Sequence, residues 1–363
     1  MSKTTKAKSK LNVLDQVASK IPKKEPAEIY LRRHVSELEG IIFGLRTEIG
    51  NRNEMAREVV ASVKALPPFP NPQVRLFGPG LKNRGSKSLI PMFVKFSDWH
   101  VGEYVRAEET EGFGGYNWEK AQQRAHTIAD KLIESVRTNR NSFNIEELVI
   151  SAEGDFVSGD IHDELKVTNE FPLPVQAAKA GALLREVIYK LSGHFKRVRV
   201  LEIGADNHGR MTKKPQAKQK SLNNANFMVY AVANAFLENV TKKNVEIIQP
   251  EGIKEVIRVA GWDFLVEHGD ETKAWMGIPF YGLERTRARE AVKRMNSEGR
   301  RFHYQSIGHW HVPGVISGNI LVNGSLSGTT EYDHAQGRHG VPAQVSFLVH
   351  PKYGIFNWTA WKA

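Results

Sequence analysis

Short apolar runs alternate with helical segments along most of this chain. From residue 89 onward, the runs predict strands at 89–96, 148–152 and 198–203. Apolar residues at helical spacing predict helices at about 118–137, 175–191 and 222–240. Further strands are predicted at 245–248, 256–259, 264–267, 305–307, 320–322 and 345–349, with one basic helix at about 283–297. This alternation predicts an α/β fold in which helices flank layered sheets.

The chain before residue 89 has a different pattern. Residues 1–27 are rich in lysine and predict a flexible tail, 28–66 predict a helical arm, and 67–88 predict a Pro/Gly-rich linker to a domain at 89–363. Apolar residues of the arm step by four and three, as in a coiled coil, at Leu31, Val35, Leu38, Ile42, Leu45 and Ile49. Such a seam predicts either docking onto the chain's own body or a homodimer formed through this helix.

Composition limits the chemistry and the partners of the chain. It has no cysteine, which excludes disulfides, thiolate catalysis and cysteine-bound zinc. Neither a secretory signal nor an apolar stretch of the roughly 18 residues that span a membrane is present, so we expect a cytoplasmic protein that does not bind membranes. The net charge of +11 favours a polyanionic partner, although seven lysines against two acids lie in the first 25 residues.

Five short polar motifs each follow an apolar run. They are Asp98-Trp-His100, Gly154-Asp155, Asp206-Asn207-His208-Gly209, Glu267-His268-Gly269 and Gly308-His309-Trp-His311. Ligand sites of α/β sheets lie beyond the carboxyl ends of the strands, so these motifs are expected to converge although they are distant in sequence. Aspartate, histidine and an asparagine oxygen form a donor set that suits two closely spaced manganese, iron or zinc ions.

In their order, the five motifs resemble those of the calcineurin-like metallophosphoesterase family. That family has D-x-H, G-D, G-N-H-[DE], a lone histidine and G-H-x-H, and the resemblance spans residues 92 to about 325. It implies a layered fold of two mostly mixed β-sheets, packed face to face and flanked by helices, with the helical arm added at the N-terminus. It also implies two divalent metal ions, with manganese as the first expectation and iron or zinc as alternatives.

The resemblance implies a role for each motif residue. Asp98, His100 and His311 would hold the first metal ion. Asn207, His268 and His309 would hold the second, and Asp155 would bridge the two. His208 would be the catalytic histidine, which donates a proton to the leaving oxygen or stabilises charge in the transition state.

The third motif departs from the family pattern. Asp206 stands where glycine is expected, and Gly209 replaces the acid after the histidine, so either another group orients His208 or the histidine is less constrained. Arg210 is adjacent and is predicted to bind a phosphate oxygen of the substrate. A second Gly-Asp pair, at Gly159-Asp160, is the alternative to Asp155, which we prefer because it directly follows the strand.

The resemblance implies hydrolysis of phosphodiester bonds by a metal-bridging hydroxide, and basic residues near the motifs favour nucleic acid as the substrate, as in the family's DNA exonuclease branch. Two cationic clusters carry this prediction: Lys213, Lys214, Lys218 and Lys220, and Arg285, Arg287, Arg289, Lys293, Arg294, Arg300 and Arg301. Of these, Lys213 and Lys214 are the predicted substrate-binding residues. The alternative is that these residues form solvated helix faces whose positive charge is balanced by Glu284 and Glu290.

Two other functions stay open from the sequence. One is a phosphomonoesterase or small-nucleotide phosphodiesterase, and the other is a non-catalytic nucleic-acid-binding accessory protein. Metal identity, the choice between DNA and RNA, strandedness, polarity and oligomeric state are not fixed by these residues.

Overall fold

The computed structural model describes residues 88–240, 244–273 and 279–363, and eight positions between 33 and 46. The chain divides into two compact units, Met1–Glu58 and Val59–Ala363. In the first unit the eight described positions are all helical, and Val35 and Ile42 of the predicted seam are exposed. The predicted tail, most of the predicted arm and the linker lie outside the described residues, so those domain boundaries and the homodimer stay predictions.

The described part of the second unit contains eleven strands and six α-helices. The strands are β1 (Met92–Phe96), β2 (Glu147–Ala152), β3 (Arg197–Glu202), β4 (Val245–Ile248), β5 (Lys254–Val259), β6 (Trp262–Glu267), β7 (Tyr304–Ile307), β8 (Gly314–Ile316), β9 (Ile320–Val322), β10 (Ala343–His350) and β11 (Gly354–Lys362). The helices are α1 (Trp118–Asn139), α2 (Leu165–Thr168), α3 (Leu173–Ser192), α4 (Ala225–Val240), α5 (Phe280–Glu298) and α6 (Glu331–Ala335), with a 3-10 turn at Glu108–Thr110.

The strands form two mixed sheets. The first has the order β11-β10-β1-β2-β3-β4, in which β1 to β4 run parallel and β10 pairs antiparallel to both β1 and β11. The second has the order β5-β6-β7-β9-β8, in which β6, β7 and β9 run parallel. Because β1 and β2 are buried along their whole length, they need apolar residues on both faces, which explains their continuous apolar runs.

The two sheets pack face to face around an apolar layer. Phe93 and Phe347 of the first sheet meet Phe264 of the second, with ring centroids 5.0 and 5.9 Å apart. The opposite face of the first sheet is covered by α1, α3 and α4, and α5 packs through Leu283 and Ala291 on the outer side of the second. The predicted α/β fold of two layered, helix-flanked mixed sheets is therefore confirmed.

Most predicted elements are present with ends shifted by a few residues, but some were missed. The sequence patterns did not predict β8, β11, α2 or α6. Among the described residues, no helix combines the length and the apolar content that crossing a bilayer requires.

Candidate metal centre

The five polar motifs lie where strands of both sheets end. Those of the first sheet follow β1, β2 and β3, and those of the second follow β6 and β7. Backbone hydrogen bonds join the loops directly: the amides of Asp98 and His100 donate to Gly154 and Asp155, and that of Gly308 donates to His268, over 2.9 to 3.0 Å. The parallel strands thus deliver residues that are distant in sequence to one edge of the sandwich.

The structure brings the predicted ligand side chains together. Their donor atoms form three groups, each within 4.8 Å: Asp98, His100 and His311; His100, Asp155 and His208; Asp155, His268 and His309. Asn207 joins the last group, since its Oδ1 lies 3.0 Å from His268 Nε2. Asp155 belongs to two of the groups, one with His100 and one with His268 and His309, so it lies between the two proposed ligand sets, whereas Asp160 belongs to none of the groups formed by the described residues.

The spacing of the donor atoms fits metal coordination. His100 Nε2 lies 3.2 Å from His311 Nε2, and His311 Nε2 lies 3.4 Å from Asp98 Oδ1. In the other half of the centre, His268 Nε2 lies 3.0 Å from Asp155 Oδ2. Ligands about 2.1 Å from one ion, at angles between a right angle and the tetrahedral angle, lie about 3.0 to 3.4 Å apart. Two imidazole nitrogens and a buried carboxylate oxygen that lie this close together form a nitrogen and oxygen donor set that one cation would satisfy.

Two carbonyl groups orient the histidine rings. Nδ1 of His268 lies 2.7 Å from the carbonyl oxygen of Glu153, and Nδ1 of His208 lies 2.6 Å from that of Ser158. A ring nitrogen that donates to a carbonyl carries the proton, so Nε2 of each ring is the nitrogen left for an ion or a substrate. Ser158 therefore supplies the orientation of His208 for which the sequence offers no carboxylate at position 209.

The protonation states of the proposed ligands differ from one another. Burial alone would raise the pKa of the Asp155 carboxyl, but the neighbouring His268 and His208 hold it well below its usual range. Burial lowers the pKa of His309 to about 4, with help from the charge of His268, and burial together with His208 and His311 lowers that of His100 well below its usual value. Against the effect of burial, Asp155 raises the pKa of His268 well above its usual value, and Asp98 raises that of His311. Metal binding would therefore release protons from these two rings.

The unexpected Asp206 has a structural role that sequence patterns missed. Its buried carboxylate accepts hydrogen bonds from the backbone amides of Asp155, over 2.6 Å, and Gly209, over 2.8 Å. It also accepts from the side-chain amides of Asn224 and Asn226. Burial, together with the nearby Asp155, raises the pKa of Asp206 to about 7. The carboxylate thus ties the Asn207-His208 loop to the Asp155 loop.

Position 209 has no room for the acid that the family pattern places there. A Cβ on Gly209 would lie 2.1 Å from Asn224 Oδ1 and 2.9 Å from Asp206 Oδ1. The glycine at 209 and the aspartate at 206 therefore belong together, because Asn224, which donates a hydrogen bond to Asp206, fills most of the space that a side chain at 209 would need. The asparagine-rich run at 223–226 is the sequence signal that could have indicated this network.

The predicted substrate-binding residues occupy different surroundings. Arg210 lines a pocket beside Asn207, with Lys218 and Lys220, and its guanidinium donates to the carbonyl groups of Asn207 and Thr212 over 3.0 and 3.2 Å. Lys213 and Lys214 do not line that pocket. Their roles as phosphate-binding residues stay predictions.

Comparisons with known proteins leave the family open. No family model and no curated protein matches the chain. Among solved structures, the chain is similar to zinc-bound Vps29 from Entamoeba histolytica, at 10% identity over 75% of this chain and 98% of that one, with a TM-score of 0.27. Vacuolar protein sorting 29 from Cryptosporidium parvum shares 10% identity over 76% and 99% of the two chains, with a TM-score of 0.29. An uncharacterised predicted phosphoesterase from Streptococcus pneumoniae shares 13% identity over 50% and 91%, with a TM-score of 0.24. Similarities at this level do not assign the chain to a family.

Proposed function

We propose that this protein is a phosphoesterase that depends on two divalent metal ions. The observation that carries the proposal is the position of Asp155, whose carboxylate lies close to His100 of the first proposed ligand set and to His268 and His309 of the second. Asp98, His100 and His311 would hold one ion. Asn207, His268 and His309 would hold the other. A pair of bound dications would activate water and offset the negative charge of the phosphate ester.

His208 is proposed as the group that handles the proton of the leaving oxygen. Its backbone amide donates to Asp155 Oδ1 over 3.0 Å, and the Ser158 carbonyl fixes its ring. These two contacts hold Nε2 within reach of the donor atoms of His100 and Asp155. A histidine held in this way can present a proton to the leaving group without searching other orientations.

The substrate is proposed to be a phosphodiester of nucleic acid. The net charge of +11 and the exposed cations near the motifs support this choice over a small phosphomonoester. Mn²⁺ is the first ion to test, with iron and zinc as alternatives, because the mixed nitrogen and oxygen donor set accepts all three.

Three point variants test the proposal against metal content and turnover. Asp155→Asn should remove most bound metal and lower kcat by at least about a thousandfold, because both halves of the centre lose a shared charge. His208→Ala should keep the metal and lower kcat by about a hundredfold to ten-thousandfold. Asp160→Asn, in the second Gly-Asp pair, is the matched control and should change neither. Elemental analysis and hydrolysis of a bis-aryl phosphate in Mn²⁺ provide the two measurements.

The outcomes separate the alternatives. Loss of both metal ions in His208→Ala would show that this residue is a ligand and that the proposed role is wrong. Hydrolysis of an aryl phosphate monoester without any hydrolysis of the diester or of DNA would favour the phosphomonoesterase. Salt-sensitive DNA binding without turnover under Mn²⁺, Fe²⁺ or Zn²⁺ would favour the accessory protein.

A further inference from the structure

The outer face of α5 carries a row of three cations and one tyrosine. Tyr281, Arg285, Arg289 and Lys293 follow one another at intervals of four residues, and all four are exposed. Residues four apart lie on the same face of a helix, so this row extends about 18 Å along α5. We call these four residues the α5 row. The opposite side of the helix is buried at Leu283 and Glu290.

The carboxylates of α5 do not neutralise its two central arginines. Buried Glu290 lies 3.8 Å from Lys254 and 3.2 Å from Arg294, and it also lies near Lys293. Glu284 accepts a hydrogen bond from Ser317, and Glu298 pairs with Arg294 over 3.3 Å. Within the described residues, Arg285 and Arg289 have no carboxylate at ion-pair distance. Glu284 and Glu290 therefore do not balance the positive charge of Arg285 and Arg289, as the alternative of a balanced helix face requires.

One end of the α5 row lies next to the metal centre. Leu283, in the first turn of α5, packs with Ile307 and Trp310, which flank and separate the ligand histidines of the fifth motif. The backbone of Gly282 also approaches Lys273, five residues after His268, so closely that a Cβ would lie 2.2 Å from its carbonyl oxygen. The aromatic side chains of Phe280 and Tyr281 are exposed at this end. The row thus leads from the ligand loops toward the exposed Arg300 and Arg301 beyond the helix.

We propose that the α5 row binds the phosphate backbone of a nucleic-acid strand that runs into the metal centre. The proposal rests on the proposed phosphoesterase function and adds a surface that selects polymers over small esters. Guanidinium groups without carboxylate partners can each engage a phosphate through paired hydrogen bonds. Exposed aromatic rings at the end nearest the metals provide faces on which bases stack. A small diester can reach the metals without touching the row.

A binding experiment tests the row without turnover. Arg285→Gln/Arg289→Gln is compared with Lys131→Gln/Arg137→Gln, which removes the same charge from exposed positions of α1, on the far side of the other sheet. Binding of a labelled 30-nucleotide DNA strand is measured in chelator at several salt concentrations. The α5 variant should raise Kd about tenfold at low salt, and the slope of log K against log salt should fall by about 1.4, or about 0.7 per lost phosphate contact. The α1 variant should change Kd by less than about twofold.

Kinetics with Mn²⁺ distinguishes this proposal from the function on which it rests. Hydrolysis of a bis-aryl phosphate should be the same in wild type and the α5 variant, whereas KM for DNA should rise about tenfold in the variant only. An unchanged Kd and salt slope would overturn the α5 proposal while leaving the phosphoesterase intact. Failure of wild type to hydrolyse any ester under any of the three metals would instead overturn the proposed function. Row-dependent binding of anionic lipid vesicles, without binding of DNA, would also overturn the α5 proposal.

Discussion

The proposed ligands share an unusual backbone conformation. Five of the seven have positive φ: Asp98 at 57°, His100 at 47°, Asp155 at 49°, His309 at 64° and His311 at 57°. Side chains with a Cβ rarely adopt this left-handed region, although Asp and His tolerate it better than most. A concentration of such residues at one edge of a sandwich indicates that the fold holds these side chains in place at some cost in stability.

This strain predicts that glycine at position 309 gives a more stable protein than alanine, which is the reverse of the usual order. In chelator, His309→Gly should be more stable than His309→Ala by about 1 kcal/mol, because glycine adopts positive φ without strain. His268 is the matched control, since it is not among the residues with positive φ. There His268→Ala should be the more stable variant. Urea unfolding checks both pairs, and the same order at both sites would contradict a strained backbone at His309.

A buried carboxyl away from the ligands predicts a pH dependence. Burial raises the pKa of Glu202 from 4.5 to about 7, against a hydrogen bond from Asn234. Because the native state binds this proton more tightly than the unfolded chain, the associated stability is full below about pH 4.5 and is lost as pH rises toward 7. Glu202→Gln cannot ionise, so its stability relative to wild type should rise by roughly 1 to 3 kcal/mol between pH 5 and 8.

Unfolding of the two proteins in chelator at each pH measures this difference directly. Other carboxyl groups titrate in both proteins, so their contributions cancel in the comparison. A difference that stays constant across the pH range would mean that Glu202 ionises at its ordinary pKa in the folded protein.

Residue types and spacing predicted which side chains come together at the candidate site, but not the groups that orient them. Asp98 and His311 could be identified because the motifs and their order can be read from the amino-acid sequence. The carbonyl groups of Glu153 and Ser158 could not be predicted as orienting groups, because every residue has a carbonyl and only the folded loops select which one faces a ring. The same holds for Asp206, whose four donors come from three separate segments.

At the scale of elements, the hydrophobic pattern predicted strands correctly where both faces of the strand are buried. Apolar runs predicted β1, β2 and β3 closely because these parallel strands lie between helices and a second sheet. The final strand, β11, was missed although it has nine residues, because its exposure is mixed and its sequence lacks a continuous apolar run. Its alternating aromatic residues and the glycine at 354, with φ of 76°, are the signals of a hairpin that could have identified it.

One buried ion pair of the first sheet also makes hydrogen bonds to the second sheet. Lys95 of β1 lies 3.4 Å from Glu153, which follows β2, and both side chains are fully buried. The Lys95 ammonium also donates to carbonyl groups of Ile307 and Leu321 in the second sheet, and Ser306 donates to Glu153. The pair therefore joins the sheets directly beneath the metal centre.

A double-mutant cycle should reveal this coupling. Lys95→Met and Glu153→Gln should each destabilise the protein by about 3 to 5 kcal/mol, because each leaves a buried partner without its counterpart. The double variant should cost less than the sum by at least about 1 kcal/mol. Urea unfolding in chelator gives the four free energies. Additive losses would show that Lys95 and Glu153 do not interact.

At the scale of the whole molecule, the candidate metal centre is a second place where residues of the two sheets meet. Asp98, Asp155 and Asn207 follow strands of the first sheet, whereas His268 and His309 follow strands of the second. The order of motifs indicated convergence, but the packing of one sheet on the other depends on the shared layer of Phe93, Phe264 and Phe347, which no local pattern predicts. Bound cations would therefore hold both sheets and stabilise the fold as a unit.

This arrangement predicts that metal raises the thermal stability of the entire sandwich. An ion at about one hundred times its Kd stabilises the native state by about 2.7 kcal/mol per site, provided that the unfolded chain does not bind it. For a domain of this size, that corresponds to a rise in Tm of roughly 5 °C or more. Calorimetry of wild type in Mn²⁺ and in chelator should show this rise in a single transition, since ligands from both sheets share the ions.

The same scans of Asp155→Asn and Asp160→Asn localise the effect. Asp155→Asn should lose most of the Mn²⁺-dependent rise, because the carboxylate that lies between the two proposed ligand sets is gone. Asp160→Asn should keep the rise. An equal response in the two variants would place the stabilising ion elsewhere on the molecule. A metal-dependent shift confined to one of two separate transitions would contradict this prediction, because it would mean that the ions stabilise only one sheet.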